Sequence, residues 1–236
     1  MKKIIFLIIL SLSLFGIYIL FDNPKINYLS IGDSLIIGVN PYNIEGYGYN
    51  NYVKNYLERN DKLLSFNNYY YNNSIMGLTL DIKDNRTIVA DNKEFFLKKV
   101  LRESDLVVIS TGMDELSYNY QDDMNSNYRY FDKMYSDIED LIIEIKKYAI
   151  NDIIFIGYYN PTKVYNSDVD EYFYHINEKL SSLMNKYNIK YIDIYEEIKS
   201  GNYQDNPKNH HINTNGYLKI ANLLLKYLEK AWFTKN

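Results

Sequence analysis

Ser34 and His211 are the residues whose chemistry could combine. A serine hydroxyl becomes a nucleophile when a base takes its proton and N–H donors receive the oxyanion that forms. Ser34 closes the triplet Gly32-Asp33-Ser34, which cuts off the apolar run 28–31 and precedes another, Leu35-Ile36-Ile37. A plain turn is the commonest use of those three residue types, so the triplet alone does not decide. Of the three histidines, His175 lies within a helical pattern and reads as structural or surface. His210 and His211 lie in a polar loop, 204–214, where a base, or simply a solvated side chain, is expected. The chain has no cysteine, which excludes disulfides, thiolate catalysis and Cys-ligated metal. There is no H-E-x-x-H, no clustered acidic loop and no glycine-rich phosphate loop. His210 and His211 are adjacent rather than four apart, so neither metal nor cofactor is expected.

A nucleophile and a base far apart in sequence need a scaffold that brings them together. Runs at 26–31, 65–71, 105–110, 152–158 and 189–194 are short, apolar and rich in Ile, Val or Tyr, as buried parallel strands are. Between them lie helical patterns at 49–59, 93–103, 130–148 and 168–187, and another at 213–233 with Thr214 as its N-cap. This alternation predicts a doubly wound parallel sheet of about five strands in one α/β domain, 25–236. Ligand sites in such sheets lie beyond the carboxyl ends of the strands. Gly32-Asp33-Ser34, Gly112-Met113-Asp114-Glu115 and Asn160-Pro161 all fall there.

Composition narrows the function classes. The 236 residues suffice for one domain with a substantial core, and 47% are hydrophobic, which argues against disorder. The net charge of −4, with lysines scattered among acids, excludes the cationic surface of a nucleic-acid binder. The 27 tyrosines suit carbohydrate stacking but read first as compositional bias. Met1-Lys2-Lys3 precedes an uncharged apolar run, 4–21, whose 18 residues would span about 27 Å as a helix, close to a bilayer's hydrocarbon thickness. No small-x-small cleavage site follows it. We therefore expect residues 1–24 to be an N-terminal apolar helix anchoring the protein, with a short linker. The lysines would remain inside and the domain outside the cytoplasm. A cleaved signal and a secreted protein are the alternative.

The order of these segments resembles the GDSL or SGNH hydrolase superfamily. GDSL at 32–35 resembles its first block. Asn73-Ser74-Ile75-Met76-Gly77-Leu78-Thr79 resembles its glycine block, and Val107-Val108-Ile109-Ser110-Thr111-Gly112-Met113-Asp114-Glu115-Leu116 its G-x-N-D block. His211-Ile212-Asn213-Thr214-Asn215-Gly216-Tyr217 resembles its last block, H-P-N-x-x-G-Y. The resemblance implies a three-layer α/β/α, flavodoxin-like fold and hydrolysis of an acyl or acetyl ester. Ser34 would be nucleophile and His211 base, with the backbone N–H groups of Ser34 and Gly77 in the oxyanion hole. No G-x-S-x-G is present, which disfavours an α/β-hydrolase elbow.

Two positions depart from the family. Its oxyanion Asn aligns with Asp114, and an ionised Asp cannot donate. Asp114 would help only if burial kept it protonated; Met113 and Glu115 are no better. The family's Asp, three residues before the His, aligns with Lys208. Asp205, Asn209 or a backbone carbonyl would then have to orient His211. The expected substrates are small-molecule, lipid or O-acylated polysaccharide esters. Two other functions fit the same residues: a catalytically impaired protein that binds acyl or glycan ligands, and an acyltransferase.

Overall fold

In the computed structural model, residues 25–71, 74–90, 93–206 and 209–233 are described. The chain runs β1 (Ile26–Gly32), α1 (Ser34–Ile37), α2 (Tyr49–Arg59), β2 (Leu63–Tyr70), α3 (Ile75–Lys83), β3 (Thr87–Ala90), β4 (Lys93–Phe96), α4 (Leu97–Glu103) and β5 (Leu106–Ser110). It continues through α5 (Met113–Asn119), α6 (Met124–Lys146), β6 (Asp152–Ile156), α7 (Ser167–Lys186), β7 (Lys190–Ile192), α8 (Tyr195–Lys199), α9 (Thr214–Leu228) and a π-helical turn, Glu229–Phe233. Five strands form one parallel sheet in the order β2-β1-β5-β6-β7; β3 and β4 pair as a separate antiparallel ribbon.

Burial explains why these segments are strands. All five residues of β5 are buried, as are all of β1 except Asn27, so both faces of the central strands are covered. Helix α2 packs against α9, while α3, α6 and α7 pack in succession, giving helices on both sides of the sheet. The three-layer expectation therefore holds. The apolar stripe of α6, Phe131, Met134, Ile138, Leu141, Ile142 and Ile145, is buried at three- and four-residue spacing. Each such side chain contributes about 1.5–3 kcal/mol, against about 0–1 kcal/mol for a surface ion pair such as Lys179–Asp132. Packing, not charge, holds the layers.

The structure corrects several boundaries. Lys93–Phe96 is strand β4 rather than the start of a helix, and only Leu97–Glu103 is helical. Helix α6 begins at Met124, where Asp123 caps it by accepting from the N–H groups of Asn125 and Ser126. The N-cap of α9 is Asn213, not Thr214: its side chain accepts from Asn215 and Gly216, and the helix proper ends at Leu228. The apolar segment 4–21 and Lys208 lie outside the described residues. Among the described residues no helix is long and apolar enough to cross a membrane.

Candidate active site

The chain leaves β1 for β2 on one side and later returns to β5 on the other. This reversal opens a crevice beyond the carboxyl ends of β1 and β5, where Gly32 pairs with Ser110. At position 32 a Cβ would collide with the Ser110 carbonyl, so glycine lets the two strand ends close up. Asp33 then caps α1, accepting from the Leu35 N–H at 3.3 Å. Its other oxygen accepts from the N–H groups of Met113 at 2.9 Å and Asp114 at 3.2 Å. Asp33 thus orders the turn and also ties the start of α5 to that of α1. Gly112, at φ +92°, makes the left-handed turn from β5 into α5.

Ser34 is the first residue of α1 and is buried. Its hydroxyl donates to Asp114 Oδ1 at 2.6 Å, and its backbone N–H donates to Asp114 Oδ2 at 3.1 Å. His211 Nδ1 lies 3.4 Å from Ser34 Oγ, a long hydrogen bond. His210 Nε2 lies 3.0 Å from Asp114 Oδ1, the geometry of an N–H donating to a carboxylate. The two imidazoles have centroids 4.0 Å apart, and Tyr118 sets a ring edge against His210 at 5.4 Å.

The loop carrying the histidines is held by its backbone. Asn209 Oδ1 accepts from the His211 N–H at 2.8 Å, and the Asn209 amide donates to Asn43. The His210 carbonyl accepts from Tyr159 Oη at 3.0 Å and from Gln204 Nε2 at 3.5 Å. Asp205 accepts from Asn213 Nδ2 at 2.9 Å. Asn209 and Asp205 therefore shape the loop around His211 through its backbone and the α9 cap, not through the imidazole.

The expected oxyanion donors are already engaged. The Ser34 N–H goes to Asp114, and the Gly77 N–H donates to Ser74 Oγ, the N-cap of α3, at 3.1 Å. Glu115 adds a second cap to α3, accepting from the Ile75 N–H at 3.0 Å. The Asp114 carboxylate takes both the hydroxyl and the N–H of Ser34. The cavity beside it, lined by Asp33, Tyr71, Ser74 and Glu115 among others, measures about 10 Å³, room for a single water. A larger cleft of about 330 Å³ lies along Tyr120–Met124 and Thr162–Val169 and shares no residue with this cluster.

Electrostatics follow from these contacts. Burial opposes the charge on Asp114, but hydrogen bonds from His210 and from the Ser34 hydroxyl and N–H outweigh it and hold the carboxyl below its usual value. The protonated Asp114 considered from sequence does not form. Burial, then the Asp114 charge, push the Asp33 carboxyl well up, against the pull of its three backbone donors. Burial, then His210, pull His211 down to about 4 while Asp114 pulls it up, so the imidazole is neutral and able to accept a proton.

The sequence offers His210 as a base or a solvated side chain, but not as a partner of Asp114. Adjacent histidines give no helix-face spacing, and the fold rather than the spacing brings His210 to Asp114. Sequence reasoning likewise missed that ligand-type atoms of Asp114, His210 and His211 all lie within 4.8 Å of one another. The expectation of no metal rested on local motifs, whereas this group joins the first turn of α5 to the distant loop before α9.

Comparison with known proteins completes the site's setting. An acetylxylan esterase from Geobacillus stearothermophilus is 15% identical, with TM-score 0.66 over 91% of this chain and 99% of its own. Structures of that esterase include catalytic mutants at a serine, an aspartate and a histidine. A lipase from a goat rumen metagenome is 17% identical, with TM-score 0.68 over 84% of this chain and 95% of its own. No curated protein sequence matches. The family model for GDSL-like lipase/acylhydrolase matches residues 28–224, and the chain belongs to that family.

Proposed function

We propose that the protein is a carboxylic-ester hydrolase that cleaves acetyl or other short acyl esters through Ser34. The observation that carries this reading is the placement of the Ser34 hydroxyl at the end of β1, buried and 3.4 Å from the neutral His211 Nδ1. For attack, the Ser34 hydroxyl turns from Asp114 to His211. Its oxygen bonds to the ester carbonyl carbon and its proton passes to Nδ1. His211 then returns the proton to the leaving alcohol, and water hydrolyses the acyl-serine by the reverse sequence. Asp114 must release the Ser34 N–H so that it can receive the oxyanion; His210 is the partner that holds the displaced carboxylate. Tyr118, 77% exposed, and Tyr70 lie at the rim of the site, where aromatic rings suit a sugar or another flat leaving group. An O-acetylated polysaccharide is the substrate class we favour over a lipid.

Residues 25–236 would form the catalytic domain. Residues 4–21 would hold it at the outer face of the cytoplasmic membrane. One observation favours a second reading, an impaired protein that binds acyl or glycan ligands: Asp114 and Ser74 occupy the N–H groups an oxyanion needs. Acyl transfer to an alcohol uses the same serine chemistry. The test is turnover of p-nitrophenyl acetate and acetylated xylo-oligosaccharides by the full-length protein beside Ser34→Ala. Release of acetate that Ser34→Ala abolishes supports the hydrolase. Tight glycan binding without turnover supports the impaired reading.

A further inference from the structure

We propose that Asp114, His210 and His211 form a binding site for a divalent transition-metal ion of the zinc class, and that a bound ion silences Ser34. The donor set is two imidazole nitrogens and one carboxylate oxygen, drawn from α5 and from the loop before α9. That set suits zinc; magnesium and calcium prefer all-oxygen shells. Zinc ligands at about 2.0–2.1 Å stand roughly 3.3 Å apart in a tetrahedral site. Asp114 Oδ1 and His210 Nε2, at 3.0 Å, are already near that spacing. The remaining donor atoms lie within 4.8 Å, a gap that side-chain rotation closes.

The surroundings are built for an ion rather than left open to chance. The His210 carbonyl, the His211 N–H and the Asp114 N–H are each held by a hydrogen bond, so the three ligand backbones are fixed before any ion arrives. Asp33 adds a second carboxyl directly behind Asp114. Among the described residues neither Asp33 nor Asp114 has a Lys or Arg ion-pair partner. Asp114 and His210 keep about 15% and 14% of their side-chain surface exposed, which leaves a way in from solvent. Ser34 Oγ, 2.6 Å from Asp114 Oδ1 and 3.4 Å from His211 Nδ1, borders the fourth position.

Silencing follows from competition for one lone pair. The proposal places the ion on His211 Nδ1, the nitrogen 3.4 Å from Ser34 Oγ, so a loaded protein has no base for its nucleophile. This half of the proposal rests on the esterase reading; the binding half does not, and the two are measured separately.

Tag-free full-length protein, stripped with EDTA and dialysed, is titrated with zinc chloride and with magnesium chloride by calorimetry. Expected are one saturable zinc site and no magnesium heat. Asp114→Asn, His210→Gln and His211→Gln should each weaken zinc binding at least ~10-fold, as loss of ligand support does at metal sites. His175→Gln, on the exposed face of α7, should leave it unchanged. Circular dichroism confirms that each variant is folded. No saturable zinc heat overturns the site, as does affinity unchanged in both Asp114→Asn and His210→Gln. Labelling of Ser34 by a fluorophosphonate should fall on zinc saturation and recover in EDTA. Labelling that zinc saturation leaves intact overturns the silencing, and labelling in neither condition removes the esterase reading and the silencing with it.

Discussion

Replacing Asp114 with Asn should raise the turnover of this protein. In the structure the Asp114 carboxylate takes the Ser34 N–H at 3.1 Å and the Ser34 hydroxyl at 2.6 Å. A negative charge about 4 Å from a forming oxyanion costs about 4 kcal/mol at an effective dielectric of about 20. Restoring one oxyanion donor is worth about 2.7–4 kcal/mol, or 10²–10³ in kcat. The two terms overlap, because the same side chain both loses its charge and gains an N–H. The expected gain is therefore about 10²–10³ in kcat with little change in KM. Asp114→Ala, which removes the charge without adding a donor, should fall between wild type and Asn. The fold should tolerate both changes, since Asp33 holds residue 114 by its backbone N–H. The assay is p-nitrophenyl acetate hydrolysis at neutral pH in EDTA, with Ser34→Ala as blank. A kcat for Asp114→Asn equal to or below that of wild type would refute the reasoning. A large fall would make the carboxylate, which touches the Ser34 hydroxyl, the base itself.

Other expectations follow from the same contacts. His211, ordinarily near 6.5 and pulled down to about 4, stays neutral in the folded protein while the unfolded chain takes up the proton. This gap disfavours the folded state by about 3 kcal/mol once the pH is below 4; the stability is present above 6.5 and lost as pH falls through that window. Urea unfolding in EDTA should show His211→Gln losing less stability than wild type across it, and equal losses would contradict the assignment. Gly112→Ala forces a side chain into φ +92° and against Tyr158, so it should cost about 1–3 kcal/mol or more; a loss under about 0.5 kcal/mol on urea denaturation would remove the strain argument. Asn213→Ala removes the cap of α9 and should cost about 1 kcal/mol, whereas Thr214→Ala should cost less.

The sheet was legible because buried parallel strands write apolar runs that need no partner to be recognised, as 106–110 and 152–156 do. Residues 93–96 were misread because Lys93-Glu94-Phe95-Phe96 suits a helix locally, and only pairing with β3 makes it a strand. Thr214 was chosen as cap by residue type, but Asn213 has the extended backbone and the side chain that reaches Asn215 and Gly216. At the site, the positions of Ser34 and His211 followed from block order. Their partners did not. Asp205 and Asn209 are close to His211 in sequence, yet the loop turns their side chains to Asn213, the His211 N–H and Asn43. His210 reaches Asp114, 96 residues away, because the fold brings α5 and the loop before α9 together, which no local pattern records; Ser74 takes the Gly77 N–H as an ordinary N-cap three residues away.

Ser34 must be a working nucleophile for this protein to hydrolyse esters. Intact-mass detection of a fluorophosphonate adduct on the full-length protein in EDTA tests this directly, with the adduct mapped by peptide analysis. The expected result is one adduct on Ser34, formed faster in Asp114→Asn and absent from Ser34→Ala. Folded Asp114→Asn protein that takes up no label, or an adduct that persists in Ser34→Ala, would contradict it.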